Sequence, residues 1–145
     1  MAAPELAAAI AATYHVWMRT VDAAGPAMAE YGLTTATFQA LWLIDPEEPP
    51  PSMKAMAERL HCNAPNLTFV ANQLIDRGLL ERAVDPNDRR SRVLTLTAKG
   101  RRVRDEVVRA AMEGSPPAAL TAVQQRQLTA LLNAALEPGP ASDRA

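Results

Sequence analysis

Apolar residues in the first helical segment recur mostly three and four positions apart, which is the period of an α-helix. This stripe consists of Leu6, Ile10, Tyr14, Trp17, Met18 and Val21. Gly25-Pro26 is predicted to interrupt or kink the helix, and Tyr31-Gly32 to end it. The pattern therefore predicts a long amphipathic helix over residues 5–30.

Five further helices are predicted by residues that favour helix starts, each followed by an apolar stripe. These helices are predicted to begin at Thr34, Ser52, Asn63, Thr97 and Thr121. The stripe after Asn63 continues from Leu67 to Ile75, and Gly78 suits the left-handed residue that ends this helix. Residues 46–51 contain four prolines, which remove backbone donors and fix φ, so they form a stiff connector between two helices.

The pattern changes over residues 79–97, where two β-rich runs flank the turn-forming segment Asp85-Pro86-Asn87-Asp88. This predicts a hairpin. A short helix, a tight turn, a second helix and a hairpin, in that order, form a winged helix-turn-helix, whose second helix enters the major groove of DNA. The predicted fold class is mainly α with a small β-hairpin wing.

The overall charge gives no reason to expect a nucleic-acid partner, because the chain has a formal net charge of −1. Residues 81–104, however, carry eight basic and three acidic side chains, which is a local positive excess. The sequence lacks a signal peptide and an apolar run long enough to span a membrane, so we expect a cytoplasmic protein that does not associate with membranes.

No catalytic constellation is found, and we expect neither an enzyme nor a metal or cofactor site. Cys62, the one cysteine, is predicted to be a buried structural residue. His15 and His61 have no partners at the spacing that metal binding or acid–base catalysis needs, and they are predicted to be surface or turn residues.

Several motifs resemble the MarR family of transcriptional regulators. Residues 52–60 followed by 63–68 are similar to its helix-turn-helix, and residues 74–82 to its L-x-x-x-G-L-[VIL]-x-R stretch. Residues 85–90 resemble the D-x-x-D-x-R signature of its wing, and residues 94–100 follow in place of its L-T-x-x-G. The resemblance extends from the first helix to Leu136.

The resemblance implies a homodimer on palindromic double-stranded DNA, with the terminal helices as the dimer interface. The apolar surplus of residues 6–21 and 120–136 also calls for a partner. The predicted organisation is an N-terminal dimerisation helix (1–33), a DNA-binding domain (34–97, with the wing at about 79–97), C-terminal dimerisation helices (98–137) and a disordered tail (138–145).

The resemblance also indicates how the wing binds DNA. It implies that Arg90 inserts into the minor groove and that Asp88 orients it by a charge-assisted hydrogen bond, with Arg89 and Arg92 near phosphates.

The helix predicted to begin at Asn63 is the recognition helix, the one that would enter the major groove. Helical spacing gives it outward-facing and flanking residues. The outward-facing residues are Pro65, Phe69, Asn72, Gln73 and Asp76, and the flanking ones are Asn66 and Thr68. Asn66 and Gln73 suit adenine edges, Thr68 suits a base or a phosphate, and Asn63 presents its helix N-terminus to a phosphate. The predicted DNA-binding residues are Asn63, Pro65, Asn66, Thr68, Phe69, Gln73, Asp88, Arg89, Arg90 and Arg92.

Phe69 departs from the family pattern, which usually has arginine at this position. No Lys or Arg lies between Ala64 and Asp76. An outward phenylalanine either contacts a thymine methyl group or marks a surface that binds protein. The alternative to a regulator is therefore a winged-helix protein-interaction module with weak or no DNA binding.

Members of the family often bind small lipophilic or anionic aromatic effectors between the dimer helices and the DNA-binding lobe. In this chain such a site would be lined by Tyr14, Trp17, Met18, Phe38, Trp42 and Met112, with His15 or Arg19 available to an anion. The same aromatic residues at helical spacing are also typical of a plain hydrophobic core.

Overall fold

The computed structural model describes residues 3–137, which form six α-helices, a short 3-10 helix and an antiparallel two-stranded hairpin. The elements are α1 (Pro4–Glu30), α2 (Thr35–Leu43), α3 (Met53–Arg59), α4 (Ala64–Asp76), β1 (Leu80–Asp85), β2 (Asp88–Leu96), α5 (Ala98–Glu113), the 3-10 helix (Pro116–Ala119) and α6 (Ala122–Leu136). This confirms the predicted fold class. The tail predicted at residues 138–145 lies outside the described residues.

Five helices begin at the predicted residues. Thr34, Ser52, Asn63, Thr97 and Thr121 are all N-caps. In each case the side-chain oxygen accepts the backbone N–H of the residue three positions later, which satisfies one of the donors left free at a helix start. Local chemistry therefore sets where these helices start.

Of the two outcomes predicted for Gly25-Pro26, the interruption is wrong, because α1 continues through both residues to Glu30, and the kink stays a prediction. Proline removes one backbone donor, and its ring normally conflicts with the Cβ of the preceding residue in helical conformation. Gly25 has no Cβ, so this second conflict does not arise. The helix loses one hydrogen bond and stays continuous.

The core lies between the second half of α1 and helices α2, α4 and α5. Phe38, Leu41, Leu74 and Val107 are fully buried within it. Beside this core, the hydroxyl of Tyr31 donates to Glu106 Oε2 at 2.6 Å and ties the end of α1 to α5. That hydrogen bond to the carboxylate raises the pKa of Tyr31 to about 12, so the phenol remains a donor at neutral pH.

The first half of α1 and the whole of α6 are uncovered in the single chain. Ile10 is 62% exposed and Leu131 is 71% exposed. No residue of α6 is buried, and the first buried residue of α1 is Thr20. The predicted amphipathic stripe of residues 6–18 therefore lies on the surface.

The proline-rich connector is attached to the wing as well as to the helices that it joins. The backbone N–H of Leu94 donates to the carbonyl oxygen of Pro51 at 2.9 Å, and Ser52 forms an isolated antiparallel bridge with Val93. The chain just before α3 thus lies alongside β2. This pairing fixes the wing relative to the helix-turn-helix.

Candidate nucleic-acid interface

Helix α4 buries one face and leaves the other open. Leu67, Ala71 and Leu74 are buried, whereas Phe69 on the opposite face is 65% exposed. Among the residues predicted to contact DNA, those at positions 63, 65, 66, 68 and 69 are exposed, and Gln73 is half-buried. The outward orientation predicted from helical spacing is therefore found in the structure, although Gln73 is partly covered.

The tip of the wing is shaped by two aspartates that bond to the backbone. Asp85 Oδ1 accepts the N–H of Asn87 at 2.9 Å, and Asp88 Oδ1 accepts the N–H of Arg90 at 3.0 Å. The second oxygen of Asp88 accepts the hydroxyl of Ser91 at 3.3 Å. Asp88 thus orients Arg90 through a hydrogen bond to the backbone of Arg90.

Three exposed arginines project from this tip. Arg89, Arg90 and Arg92 all lie at the start of β2. Arg92 turns back, since its Nη1 donates to the carbonyl oxygen of Arg89 at 3.3 Å. The turn of Asp88 therefore places three exposed arginines within four consecutive residues at the end of the hairpin.

A hydrogen bond that the sequence did not reveal joins the wing to the recognition helix. Arg82 Nη2, on β1, donates to Asn72 Oδ1, on α4, at 2.6 Å. Both side chains are exposed, so this bond lies on the surface where the two elements meet. Arg82 belongs to the stretch that resembles the MarR family, which was the available signal, but its partner depends on how the hairpin packs.

Some of the positive charge counted in residues 81–104 is used inside the fold. Arg104 donates to the carbonyl oxygens of Leu41 and Trp42 at 3.0 and 2.8 Å, at the end of α2. Lys99 Nζ donates to the carbonyl oxygen of Arg77, just after α4, at 3.2 Å. Cations at helix C-termini complement the helix dipole. Of the eight basic residues, four lie on the wing and four on α5, where Arg101 and Arg102 are also exposed.

A cavity of about 430 Å³ opens where α1, α2 and α3 meet. Its lining consists of Trp17, Gln39, Trp42, Leu43, Arg59, Leu60 and His61. The ring centroids of Trp17 and Trp42 lie 6.1 Å apart, and Arg59 Nη1 donates to the carbonyl oxygen of Leu43 at 3.1 Å. Two indoles and a guanidinium at one cavity suit a flat aromatic anion.

The structure brings together only part of the predicted ligand site. Trp17 and Trp42 line the cavity, and Phe38 lies behind it, fully buried with its ring edge-on to that of Trp42. The other predicted lining residues, Tyr14, His15, Met18, Arg19 and Met112, lie outside this lining.

Sequence reasoning missed Arg59 and His61 as cavity residues. Tertiary packing carries both of them to α1, and no local pattern indicates it. His61 occupies the turn between α3 and α4 with φ of 51°, a left-handed conformation that few side chains adopt readily. The cavity therefore reaches the helix-turn-helix itself.

Cys62 is less buried than predicted. It is half-buried against the core and lines a shallow recess with Asn66 and Phe69. Because it follows His61 in the turn, one side of its environment remains open.

Residues 3–137 show neither a metal site nor a membrane-spanning helix. No group of three or more His, Cys, Asp or Glu in this part of the chain could hold a metal ion. Every helix described there falls short of the length and apolarity that a bilayer crossing requires.

The order of α3, a tight turn, α4 and the β1–β2 hairpin defines a winged helix-turn-helix protein. Residues 33–91, which run from just before α2 into the start of β2, match the MarR family. No curated protein matches the chain.

Solved structures share the fold over most of the chain. CouR from Rhodococcus jostii RHA1 bound to p-coumaroyl-CoA is 23% identical with a TM-score of 0.73, covering 89% of this chain and 92% of that one. A MarR-family regulator from Rhodococcus sp. RHA1 is 21% identical with a TM-score of 0.73, covering 96% and 99%. The transcriptional repressor CouR bound to a 23-mer DNA duplex is 26% identical with a TM-score of 0.70, covering 94% and 99%.

Proposed function

We propose that the protein is a dimeric transcriptional repressor that binds a palindromic operator and is released by a small aromatic ligand. The observation that carries this proposal is the bond between Arg82 and Asn72, which joins the cationic wing to the exposed face of α4. The two elements thereby form one surface that fits a major groove and the minor groove beside it. The structure of the similar repressor CouR bound to a DNA duplex also supports this proposal.

Each part of this surface has a separate task on DNA. The N-terminus of α4 is exposed at Asn63 and suits a phosphate, because free N–H groups and the helix dipole favour an anion there. Arg90, held by Asp88, inserts into the minor groove, while Arg89 and Arg92 neutralise phosphates.

The dimer is supported by the uncovered faces of α1 and α6. Large apolar side chains of both helices are exposed in the single chain, including Ile10 and Leu131. An apolar surface of this kind marks an association site. A two-fold dimer would place two recognition helices about 34–36 Å apart, in successive major grooves.

Ligand release is supported by where the cavity lies. Trp17 of α1 belongs to the proposed dimerisation region, whereas Arg59 and His61 belong to the helix-turn-helix. A ligand between them favours whichever arrangement of the two parts it fits best. DNA affinity falls when that arrangement has the wrong half-site spacing.

The test is a titration of the purified protein against duplexes from the DNA that flanks its own gene. Fluorescence anisotropy at two salt concentrations should give binding to one flank about a thousandfold or more tighter than to a scrambled duplex, with a steep salt dependence. Light scattering of the complex should give two chains for each duplex.

The exposed Phe69 supports the rival, a protein-interaction module. If neither flank is preferred, selection from random duplexes follows. Recovery of no preferred sequence would overturn the regulator, and a stable protein partner lost on Phe69→Ala would then establish the module.

We expect aromatic carboxylates to quench the intrinsic fluorescence of the protein. The chain has two tryptophans, and both line the cavity, so fluorescence excited selectively from tryptophan reports on that site. Arg59→Gln should weaken p-coumarate binding about tenfold or more, since it removes a charged hydrogen-bond donor. Binding of the neutral p-coumaramide should change little.

The matched control is Arg109→Gln, which removes an exposed arginine of α5 outside the cavity. Equal loss of acid and amide binding in Arg59→Gln would mean that the cavity has collapsed. Unchanged binding of the acid would contradict the assignment of Arg59 as its partner.

A further inference from the structure

The exposed face of α4 has two edges, and one of them is occupied by contacts within the protein. On that edge, Asn72 accepts the hydrogen bond of Arg82, and the hydroxyl of Thr68 donates to the carbonyl oxygen of Ala64 at 3.0 Å. Both side chains are therefore engaged within the fold. Asn72 binds the wing through Arg82, and Thr68 bonds to its own helix.

The other edge carries Asn66, Phe69 and Gln73, spaced three and four residues apart. The backbone N–H of Asn66 donates to Asn63 Oδ1 at 2.9 Å, and Asn66 lines the same recess as Phe69. The ring of Phe69 is 65% exposed. This edge therefore offers two amides with an apolar ring between them.

This edge of α4 lacks the side chains that usually recognise guanine. Guanine is usually recognised by arginine or lysine, which donate to its O6 and N7 atoms. No such residue lies between Ala64 and Asp76. Asparagine and glutamine match the N6 and N7 atoms of adenine, and an apolar side chain matches the methyl group of thymine.

We infer that α4 reads A·T base pairs, with Phe69 on a thymine methyl group and with Asn66 and Gln73 on neighbouring adenines. From Asn66 to Gln73 the helix advances about 10 Å, which spans about three base pairs at about 3.4 Å each. Arg90 supports the same composition next to these pairs, because the narrow minor groove of A·T tracts attracts arginine. This inference rests on the proposed DNA-binding function and specifies the sequence class of its half-site.

Thymine-to-uracil replacement tests the methyl contact directly, because deoxyuridine differs from thymidine only by that methyl group. In an operator obtained by selection from random duplexes, each half-site should contain adjacent A·T pairs. Replacing the contacted thymine in both half-sites should weaken binding of the wild-type protein about fifteenfold, or about fourfold for each methyl group.

Two variants assign this effect to Phe69. Phe69→Ala should bind the thymine and uracil duplexes equally, whereas Phe69→Leu should keep most of the preference for thymine. Both changes are at an exposed position, so the urea concentrations at which the two variants unfold should match that of the wild type.

The outcomes separate this inference from the function on which it rests. Specific DNA binding with G·C pairs at the α4 positions, or with no loss at any uracil, overturns A·T reading and leaves the regulator in place. Failure to select any sequence overturns both. Equal uracil sensitivity of wild type and Phe69→Ala shows that another residue contacts the methyl group and overturns the role of Phe69.

Discussion

Replacing Gly100 with alanine is expected to destabilise the protein by about 3 kcal/mol or more. A Cβ at Gly100 would overlap the carbonyl oxygen of Leu79. That oxygen cannot easily move, because it accepts the N–H of Thr97 at 3.1 Å and its residue is buried. Urea unfolding at a fixed protein concentration, followed by circular dichroism, measures the change.

The control for this prediction is Ala98→Ser, which adds one atom in the same turn of α5 at an exposed position. Its free energy of unfolding should lie within about 0.5 kcal/mol of the wild-type value. If the free energy of unfolding of Gly100→Ala also lies within about 1 kcal/mol of the wild-type value, the close approach of α5 to Leu79 is not the constraint described.

Arg90→Ala is expected to lower operator affinity at least about thirtyfold in the dimer, since each of two wings loses a contact of at least about 1 kcal/mol. The slope of log affinity against log salt should decrease by about two, one unit for each wing. Folding should be unaffected, because the Arg90 side chain is exposed and Asp88 bonds to its backbone. Anisotropy titrations at several salt concentrations measure both quantities.

Arg109→Ala is the matched control, as it removes an exposed positive charge of α5 away from the wing. It should leave the salt slope within experimental error of the wild type. Equal affinity of Arg90→Ala and wild type would contradict the minor-groove assignment while leaving the phosphate contacts of Arg89 and Arg92 open to the same test.

The elements that the sequence predicted well are those set by local chemistry. Thr34, Ser52, Asn63 and Thr97 cap helices through bonds that span three residues, so a short window of sequence contains both partners. The hairpin likewise follows from the turn residues between two β-rich runs.

The features that the sequence did not predict join residues far apart in the chain. Arg104 reaches carbonyl oxygens at the end of α2, and Leu94 pairs with Pro51. Arg59 and Trp17 line the same cavity although they are far apart in the chain. A charge count along the sequence cannot separate an arginine that caps a helix from one that faces DNA, since packing decides which it does.

The exception among local predictions is Gly25-Pro26. Proline inside a helical pattern is usually a sign of a break, yet α1 runs through it. The rule treats residues singly, whereas here the glycine before the proline removes one of the steric conflicts that normally disfavour proline within a helix.

The bond between Arg82 and Asn72 also has an electrostatic consequence for the proposed approach to DNA. Because asparagine is neutral, Arg82 keeps its full positive charge and adds to that of the wing tip. Residues 81–104 are strongly basic in a chain of net charge −1, so the remainder is negative and the molecule is electrically polar. In the field of a polyanion such a molecule turns residues 81–104, the wing and the start of α5, forward, which raises the rate of productive encounters and makes that rate fall as salt increases.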